Sequence, residues 1–321
     1  MKKKNHYHIN FLSTENLNRF SEFRTDQNWM EHKLKSASTF FVPMTNLKNI
    51  CKNNEVSQPV LLSKKDLEKF NEDSYSIYFL GELEKQFYFA ADFHCANTKD
   101  EERLHKFGEP VELRKIMSSL EPDKASILSY ARALSYWHSR NKYCGVCGTK
   151  TEISDAGHKI ICANVSCKAE YFPRTDPAII VLVSYGDKCL LARQKHWPKG
   201  QYATIAGFVE PGESLEQAVK REVNEETGVI VDKIRYHSSQ PWPFPSALML
   251  GFHAPAKNKN ISPRDNELED VRWFSRAEII ESFSKGTFRF PTKVSVSFSL
   301  LEHWFNKYIG KPLAEIINEN N

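Results

Sequence analysis

Residues 207–229 read GFVEPGESLEQAVKREVNEETGV, and the spacing of glutamates and glycines in this stretch decides what the C-terminal half of the chain can be. Pro211 and Gly212 mark a turn, and Ser214 followed three residues later by Gln217 has the form of a capping box that opens a helix. Leu215, Ala218, Val219 and Val223 recur as one apolar stripe, and Gly228 stands where a C-cap is expected. Glu222, Glu225 and Glu226 fall at i, i+3 and i+4, so their carboxylates leave the helix within one turn on one side. Like charges so placed weaken a helix by about a few tenths of a kcal/mol per pair, a cost without return in a purely structural helix. A hard divalent cation reverses the sign, because Mg²⁺ or Mn²⁺ takes carboxylate oxygens and fills its remaining positions with water and substrate phosphates. Taken alone, REVNEE reads as a solvated acidic helix rather than a metal site. Glu213, just ahead of the helix, meets Arg221 if the loop folds back.

Upstream, YCGVCGTKTEISDAGHKIICANVSCKAEYFPR sets Cys144 and Cys147 two residues apart and Cys162 and Cys167 four apart. Two such knuckles converge on tetrahedral Zn²⁺, and Gly145 and Gly148 supply the backbone freedom of a tight turn. Four unrelated thiols or two disulfides are the alternatives, and paired spacing in a reducing context favours metal. Four thiolates leave no open position, so this zinc, one per chain, is expected to be structural. The remaining cysteines, Cys51, Cys95 and Cys189, stand alone.

Downstream, QPWPFPSA runs from Gln240 to Ala247 with prolines at 241, 243 and 245 alternating with Trp242 and Phe244. Proline fixes its own φ and biases the preceding residue toward extended backbone, so the segment presents its rings in a preset geometry. The same pattern suits a polyproline-type ligand or a packed loop.

The whole chain has 321 residues, 40% hydrophobic and 26% charged, which is ordinary globular composition. A net charge of +4, from 44 basic and 40 acidic side chains, is too slight to imply a nucleic-acid or membrane surface. No apolar window approaches the length of a bilayer span, and MKKKNHYHINFLSTEN lacks the apolar core of a secretory signal. The expectation is a cytoplasmic protein with no membrane association; peroxisome and mitochondrion stay open, since no targeting signal is legible. Residues 1–140 alternate short apolar runs (TFFVPM, VLL, SIYFLG, FYFAADF) with polar stretches, as a mixed α+β domain does. That domain closes on an amphipathic helix whose stripe is Ile127, Tyr130, Ala131, Leu134 and Trp137, with His138 beside it as a packing or surface residue. AIIVLVSY, after Pro173, reads as a strand buried on both faces.

The box pattern then carries a resemblance. Gly207, five residues, Glu213, seven residues, Arg221, Glu222, an aliphatic, any residue, Glu225, Glu226, any residue, Gly228 and an aliphatic match the Nudix box without departure. At average residue frequencies a chance match is on the order of one in 10⁸ to 10⁹ per starting position. The C-terminal domain therefore resembles the Nudix hydrolases, which implies an α/β/α sandwich and cleavage of a nucleoside diphosphate linked to another moiety. SQPWPFPSALM looks like the signature of the NADH pyrophosphatase branch, which also carries a four-cysteine zinc ribbon before its Nudix domain; LNRFSEFRTDQNWM resembles that branch's N-terminal region. Two departures stand out. The serine expected at the end of the signature is Ala247, with Ser246 one place earlier, and the second cysteine pair is spaced by four rather than the two of bacterial members.

The resemblance divides the chain into an α+β Nudix-like domain (1–140), a zinc ribbon (141–172), a Nudix domain (173–310) and a tail (311–321). It implies that Glu222 and Glu226 hold catalytic Mg²⁺ or Mn²⁺, more than one ion per site, with Glu225 as further ligand or general base. Glu213 and Arg221 complete the catalytic set, and Glu267 is expected as an additional metal ligand, with Glu269 its rival. Phe172, Ala206, Gln240, Pro241, Trp242, Pro243, Phe244, Pro245, Ser246, Ala247 and Ser295 are expected to line the substrate pocket. The implied reaction is hydrolysis of NADH or NAD⁺ to AMP and the nicotinamide mononucleotide, extending to the NAD cap of RNA 5′ ends, by a homodimer. ADP-ribose or a dinucleoside polyphosphate as substrate, and a non-catalytic zinc-ribbon/Nudix binding module, are the competing readings.

Overall fold

The computed structural model describes residues 8–52, 58–263, 267–307 and 310–319. Two compact units emerge: one of residues 1–11, 176–241 and 247–321, the other of residues 12–175 and 242–246.

The first unit is built on Asp176–Tyr185, the strand read from AIIVLVSY. It runs parallel to Ala247–Pro255 and antiparallel to Ile205–Phe208 and Lys188–Gln194; Arg235–Trp242 and Leu268–Ser275 form the sheet's flanks. Strand alternation sends successive side chains to opposite faces. Ile179, Val181 and Val183, with Leu190, meet Ala218, Val219 and Val223 of the helix Leu215–Thr227, which is the stripe expected of the box helix. Ile180 and Leu182, with Cys189 and Leu191, meet Val296, Leu300, Leu301 and Trp304 of the helix Val296–Phe305 and Ile279 of the helix Arg276–Ser284. Helices on both faces leave no polar face to the central strand, so its sequence is continuously apolar. The result is the α/β/α sandwich that the resemblance implied.

Residues 311–321, expected as a tail, instead contain a helix, Leu313–Glu319, whose Leu313, Ile316 and Ile317 are buried in the same core. The i, i+3, i+4 spacing of these three residues is the reason: it makes one short apolar stripe.

The second unit holds the mixed α+β domain and the cysteine module. Thr39–Thr45 lies parallel to Gln86–Asp92, which pairs antiparallel with Ser76–Leu83, and the helix Pro122–Arg140 packs on these strands. Pro122 sits in the first turn, where a missing N–H costs nothing. Ile127, Ala131, Leu134 and Trp137 are buried as the stripe required, and Tyr130 is half-buried. His138 is a packing residue: its ring stacks on Tyr78 at 4.1 Å and its Nε2 lies 2.8 Å from the Gly157 carbonyl. The cysteine module forms a three-stranded antiparallel sheet of Thr151–Ser154, Lys159–Cys162 and Glu170–Tyr171. Among the described residues, no helix is long and apolar enough to cross a membrane.

Candidate active site

The box folds as loop, helix and cap. Ser214 Oγ accepts from the Gln217 N–H at 3.3 Å and Gln217 Oε1 accepts from the Ser214 N–H at 2.8 Å, so both halves of the capping box form. At the far end Gly228 takes φ 71°, and its N–H donates to Asn224. A Cβ at Gly228 would also stand 2.5 Å from the Ser262 carbonyl oxygen, so conformation and crowding both demand glycine.

Arg221 organises the acidic face. Its Nε and Nη2 donate to the two oxygens of Glu213 at 2.6 and 2.8 Å, and Nη2 also donates to the Phe208 carbonyl at 2.9 Å. Its Nη1 donates to Glu222 at 2.9 Å and to Glu225 at 3.1 Å. The paired bonds from Arg221, helped by the Glu210 N–H, hold the Glu213 carboxyl down to about 2. The Arg221 guanidinium is correspondingly pushed up, chiefly by Glu213. Glu222 moves the other way: burial raises it above the usual carboxylate range, Arg221 opposes that, and the charges of Glu225 and Glu267 add to it.

Gly207 explains how Glu222 is seated. A Cβ there would lie 2.0 Å from both Cδ and Oε1 of Glu222, so the carboxylate rests against bare backbone. Glu226 is only 7% exposed, whereas Glu225 is half-exposed. Of the two remaining candidates, Glu269 lies on the strand Leu268–Ser275 and is ion-paired with Arg193 of the neighbouring strand, while Glu267, just before that strand, is exposed and its charge is felt at Glu222. Among the described residues, no three of the box carboxylates come together as the four cysteines do. In their place Arg221 bridges Glu222 and Glu225.

The four cysteines do gather. Cys144 and Cys167 sulfurs lie 3.8 Å apart and those of Cys147 and Cys162 3.4 Å, close to the edge of about 3.8 Å that a tetrahedron of Zn–S bonds near 2.3 Å requires. The four-residue spacing between Cys162 and Cys167 still closes the set, because the N–H groups of both Cys167 and Lys168 bond back to the Asn164 carbonyl and tighten the turn.

The expected pocket residues divide between the units. Trp242, Pro243, Phe244, Pro245 and Ser246 belong with the second, as does Phe172, which is 58% exposed. Trp242 and Phe244 rings meet edge to face at 5.2 Å, and the Arg114 guanidinium lies 4.5 Å from the Phe244 centroid and 5.7 Å from that of Trp242. Arg132 reaches the Phe244 ring at 5.3 Å and donates to the Pro243 carbonyl at 2.9 Å. The rings therefore sit on two cations, and the Phe244–Pro245 peptide is cis. Nothing in the local pattern announced Arg114 and Arg132, which lie more than a hundred residues earlier.

Ala206, Gln240, Pro241, Ala247 and Ser295 belong with the first unit. Ala206 is exposed on its strand, and Ala247 pairs with Asp176. Gln240 is fully buried as a strut: Nε2 donates to the carbonyls of Phe11 and Val294, and Oε1 accepts from the Val296 N–H, all at 2.8 Å. Ser295 caps the helix Val296–Phe305, accepting from the Phe298 N–H, and donates to the Thr292 carbonyl at 2.8 Å. Gln240 and Ser295 thus have these hydrogen bonds committed to backbone.

Three successive domain families match this chain: the NADH pyrophosphatase-like rudimentary NUDIX domain over residues 38–137, the NADH pyrophosphatase zinc ribbon domain over 139–172, and the NUDIX domain over 174–293. The NAD-capped RNA hydrolase NUDT12 of Pongo abelii is 32% identical over 337 residues, covering 92% of this chain and 73% of that protein. The chain belongs to the Nudix hydrolase family. NudC of Stutzerimonas stutzeri, also named an NAD-capped RNA hydrolase, is 40% identical over 200 residues, covering 62% of this chain and 69% of NudC. Human NUDT12 is 41% identical over 196 residues, 58% of this Nudix chain, which there spans 42% of the relative's length. The four-cysteine cluster is thus the ribbon of a Nudix protein, and the Arg221-centred helix is its Nudix box.

Proposed function

We propose that the chain hydrolyses the pyrophosphate bond of NADH and NAD⁺ to AMP and the reduced or oxidised nicotinamide mononucleotide, and cuts the same bond in the NAD cap of RNA 5′ ends. The observation that carries this reading is the box itself, with Arg221 tying the Glu213 loop to Glu222 and Glu225 on the helix. Three matched domains in the order of the NADH pyrophosphatases support the choice of diphosphate.

Glu222, Glu225, Glu226 and Glu267 would hold Mg²⁺ or Mn²⁺, more than one ion per site. The donor set fits: all are hard carboxylate oxygens, and Glu222 is pushed toward neutrality by burial, a shift that a bound cation offsets. Such cations neutralise pyrophosphate oxygens and lower the pKa of water. Glu225, half-exposed at the end of the Arg221 fork, takes the proton as the water oxygen attacks phosphorus in line. The bridging P–O bond breaks as the new one forms, and each mononucleotide leaves with its own phosphate. Arg221 acts by holding Glu213, Glu222 and Glu225 in register. Trp242, Phe244 and Phe172 supply faces for stacking on nicotinamide or adenine, worth about 1–3 kcal/mol per base. The reading includes a structural Zn²⁺ at the four cysteines, a homodimer and a cytoplasmic location.

The test is a substrate panel of NADH, NAD⁺, ADP-ribose, a dinucleoside polyphosphate and NAD-capped RNA, each with Mg²⁺ and Mn²⁺ and analysed for AMP and the mononucleotide. Turnover led by the NAD-type substrates is expected; no turnover of any dinucleotide would overturn the reading.

A further inference from the structure

Among the described residues, His237, His253 and His303 bring ligand nitrogens within 4.8 Å of one another. They come from three elements: the strands Arg235–Trp242 and Ala247–Pro255, adjacent in the sheet, and the helix Val296–Phe305. Gly251 and His253 share a face by strand alternation, and Val296, Leu300 and His303 share a face at i, i+4 and i+7. A Cβ on Gly251 would stand 3.1 Å from Val296 Cγ2 and 3.0 Å from the Ser238 carbonyl oxygen, so the bare glycine is what admits the helix so close. His253 and His303 meet one step further along that contact.

The ring geometry suits a metal. Centroids lie 5.2 Å apart for His237 and His253, 5.0 Å for His237 and His303, and 5.0 Å for His253 and His303. Three imidazoles bound tetrahedrally with Zn–N near 2.0 Å put their centroids about 5 Å apart. His253 Nε2 is buried with no hydrogen-bond partner, an acceptor or donor left unused in a packed site. His237 Nδ1 lies 2.7 Å from Ser238 Oγ, which accepts from Asn10 Nδ2 at 2.8 Å. With Nδ1–H donating to that hydroxyl, the ring is held from outside and its Nε2 lone pair is free, as in histidines whose other ring nitrogen is hydrogen-bonded while they ligate a metal. His303 is exposed, which opens the trio to solvent, and it lies in the last turn of its helix, where the carbonyl ends favour a cation. Lys307 and His8, whose ring lies 5.4 Å from that of His237, are the neighbouring groups whose positive charge would oppose a cation.

We propose that His237, His253 and His303 form a three-imidazole site for Zn²⁺, with water as fourth ligand, that clamps the helix Val296–Phe305 to the strand pair. The site uses none of the box glutamates and none of the ribbon cysteines. Neutral imidazole nitrogen suits zinc, whereas Mg²⁺ prefers oxygen, so excess Mg²⁺ does not compete.

The experiment equilibrates the full chain, purified with its ribbon zinc, against low-micromolar Zn²⁺ in excess Mg²⁺ and counts bound zinc by elemental mass spectrometry. Wild type is expected to hold one more zinc per chain than His303→Ala and His303→Asn, both surface changes, and than His237→Ala. Added Zn²⁺ should raise the melting temperature of wild type and leave that of His303→Ala unmoved. With Co²⁺, the wild-type minus His303→Ala difference spectrum should show the visible bands of a tetrahedral nitrogen-ligated ion. Equal zinc content in wild type and the His303 variants, or no zinc beyond the ribbon's in wild type, would overturn the proposal.

Discussion

Arg221 grips Glu213 through two parallel hydrogen bonds, Nε to Oε1 at 2.6 Å and Nη2 to Oε2 at 2.8 Å, while its third nitrogen reaches on to Glu222 and Glu225. One planar guanidinium therefore sets the loop against the helix and the carboxylates against each other. Lysine carries the charge but is a single point donor. Arg221→Lys should lower kcat by about 10²-fold, the usual cost of an ångström of misplacement, with a smaller change in KM and unchanged far-ultraviolet dichroism. A variant with full kcat would remove Arg221 from the machinery.

The same pair predicts a pH signature. Glu213 is held down to about 2 in the fold, below the ordinary carboxylate value, so its contribution to stability is fully present above that ordinary value. It is lost as pH falls through the folded value. The stability difference between wild type and Glu213→Gln should be constant above about pH 5 and shrink toward pH 2. A difference that grew on acidification would contradict the assignment.

Gly207 and Glu222 make a second contact, one that any side chain at position 207 would disturb. Because a Cβ would fall 2.0 Å from the Glu222 carboxylate, Gly207→Ala must displace a proposed metal ligand. The expected outcome is a fall in kcat of about 10²-fold or more at unchanged Zn content, read by steady-state kinetics with saturating Mn²⁺.

Trp242 should affect binding and leave the chemical step alone. It stacks edge to face with Phe244 over Arg114, and its loss removes a stacking face without touching the box helix. Trp242→Ala is expected to raise the KM for NADH by about tenfold, the equivalent of about 1.4 kcal/mol within the range of one base stack, with kcat little changed. An unchanged KM would return the segment to the role of a packed loop.

What the sequence made legible was local. Ser214 and Gln217 are three residues apart, the stripe of Ala218, Val219 and Val223 lies within two turns, and AIIVLVSY declares two buried faces by itself. The four cysteines were legible for the same reason, since each pair is a short knuckle. Contacts between distant segments were not. Gln240 is expected in the pocket because of the segment it opens, while the bonds of its amide to Phe11, Val294 and Val296 join segments far apart in sequence. The cations under Phe244 come from residues 114 and 132, and the histidine trio joins residues 237, 253 and 303. The helix Leu313–Glu319 is hard to read from sequence because Leu313, Ile316 and Ile317 alone make a weak stripe, which only the core of the sandwich completes.

The proposed reaction is cleavage of the pyrophosphate of a nicotinamide dinucleotide by the carboxylates of one helix. Its most direct test is NADH turnover with Mn²⁺, wild type against Glu226→Gln, with AMP and reduced nicotinamide mononucleotide quantified by chromatography. Glu226 is nearly buried, and glutamine keeps its shape while removing the charge. Wild type should release the two mononucleotides stoichiometrically, and the variant should lose at least about 10²-fold in rate. Equal rates in the two proteins, or no mononucleotide from wild type, would contradict that reaction.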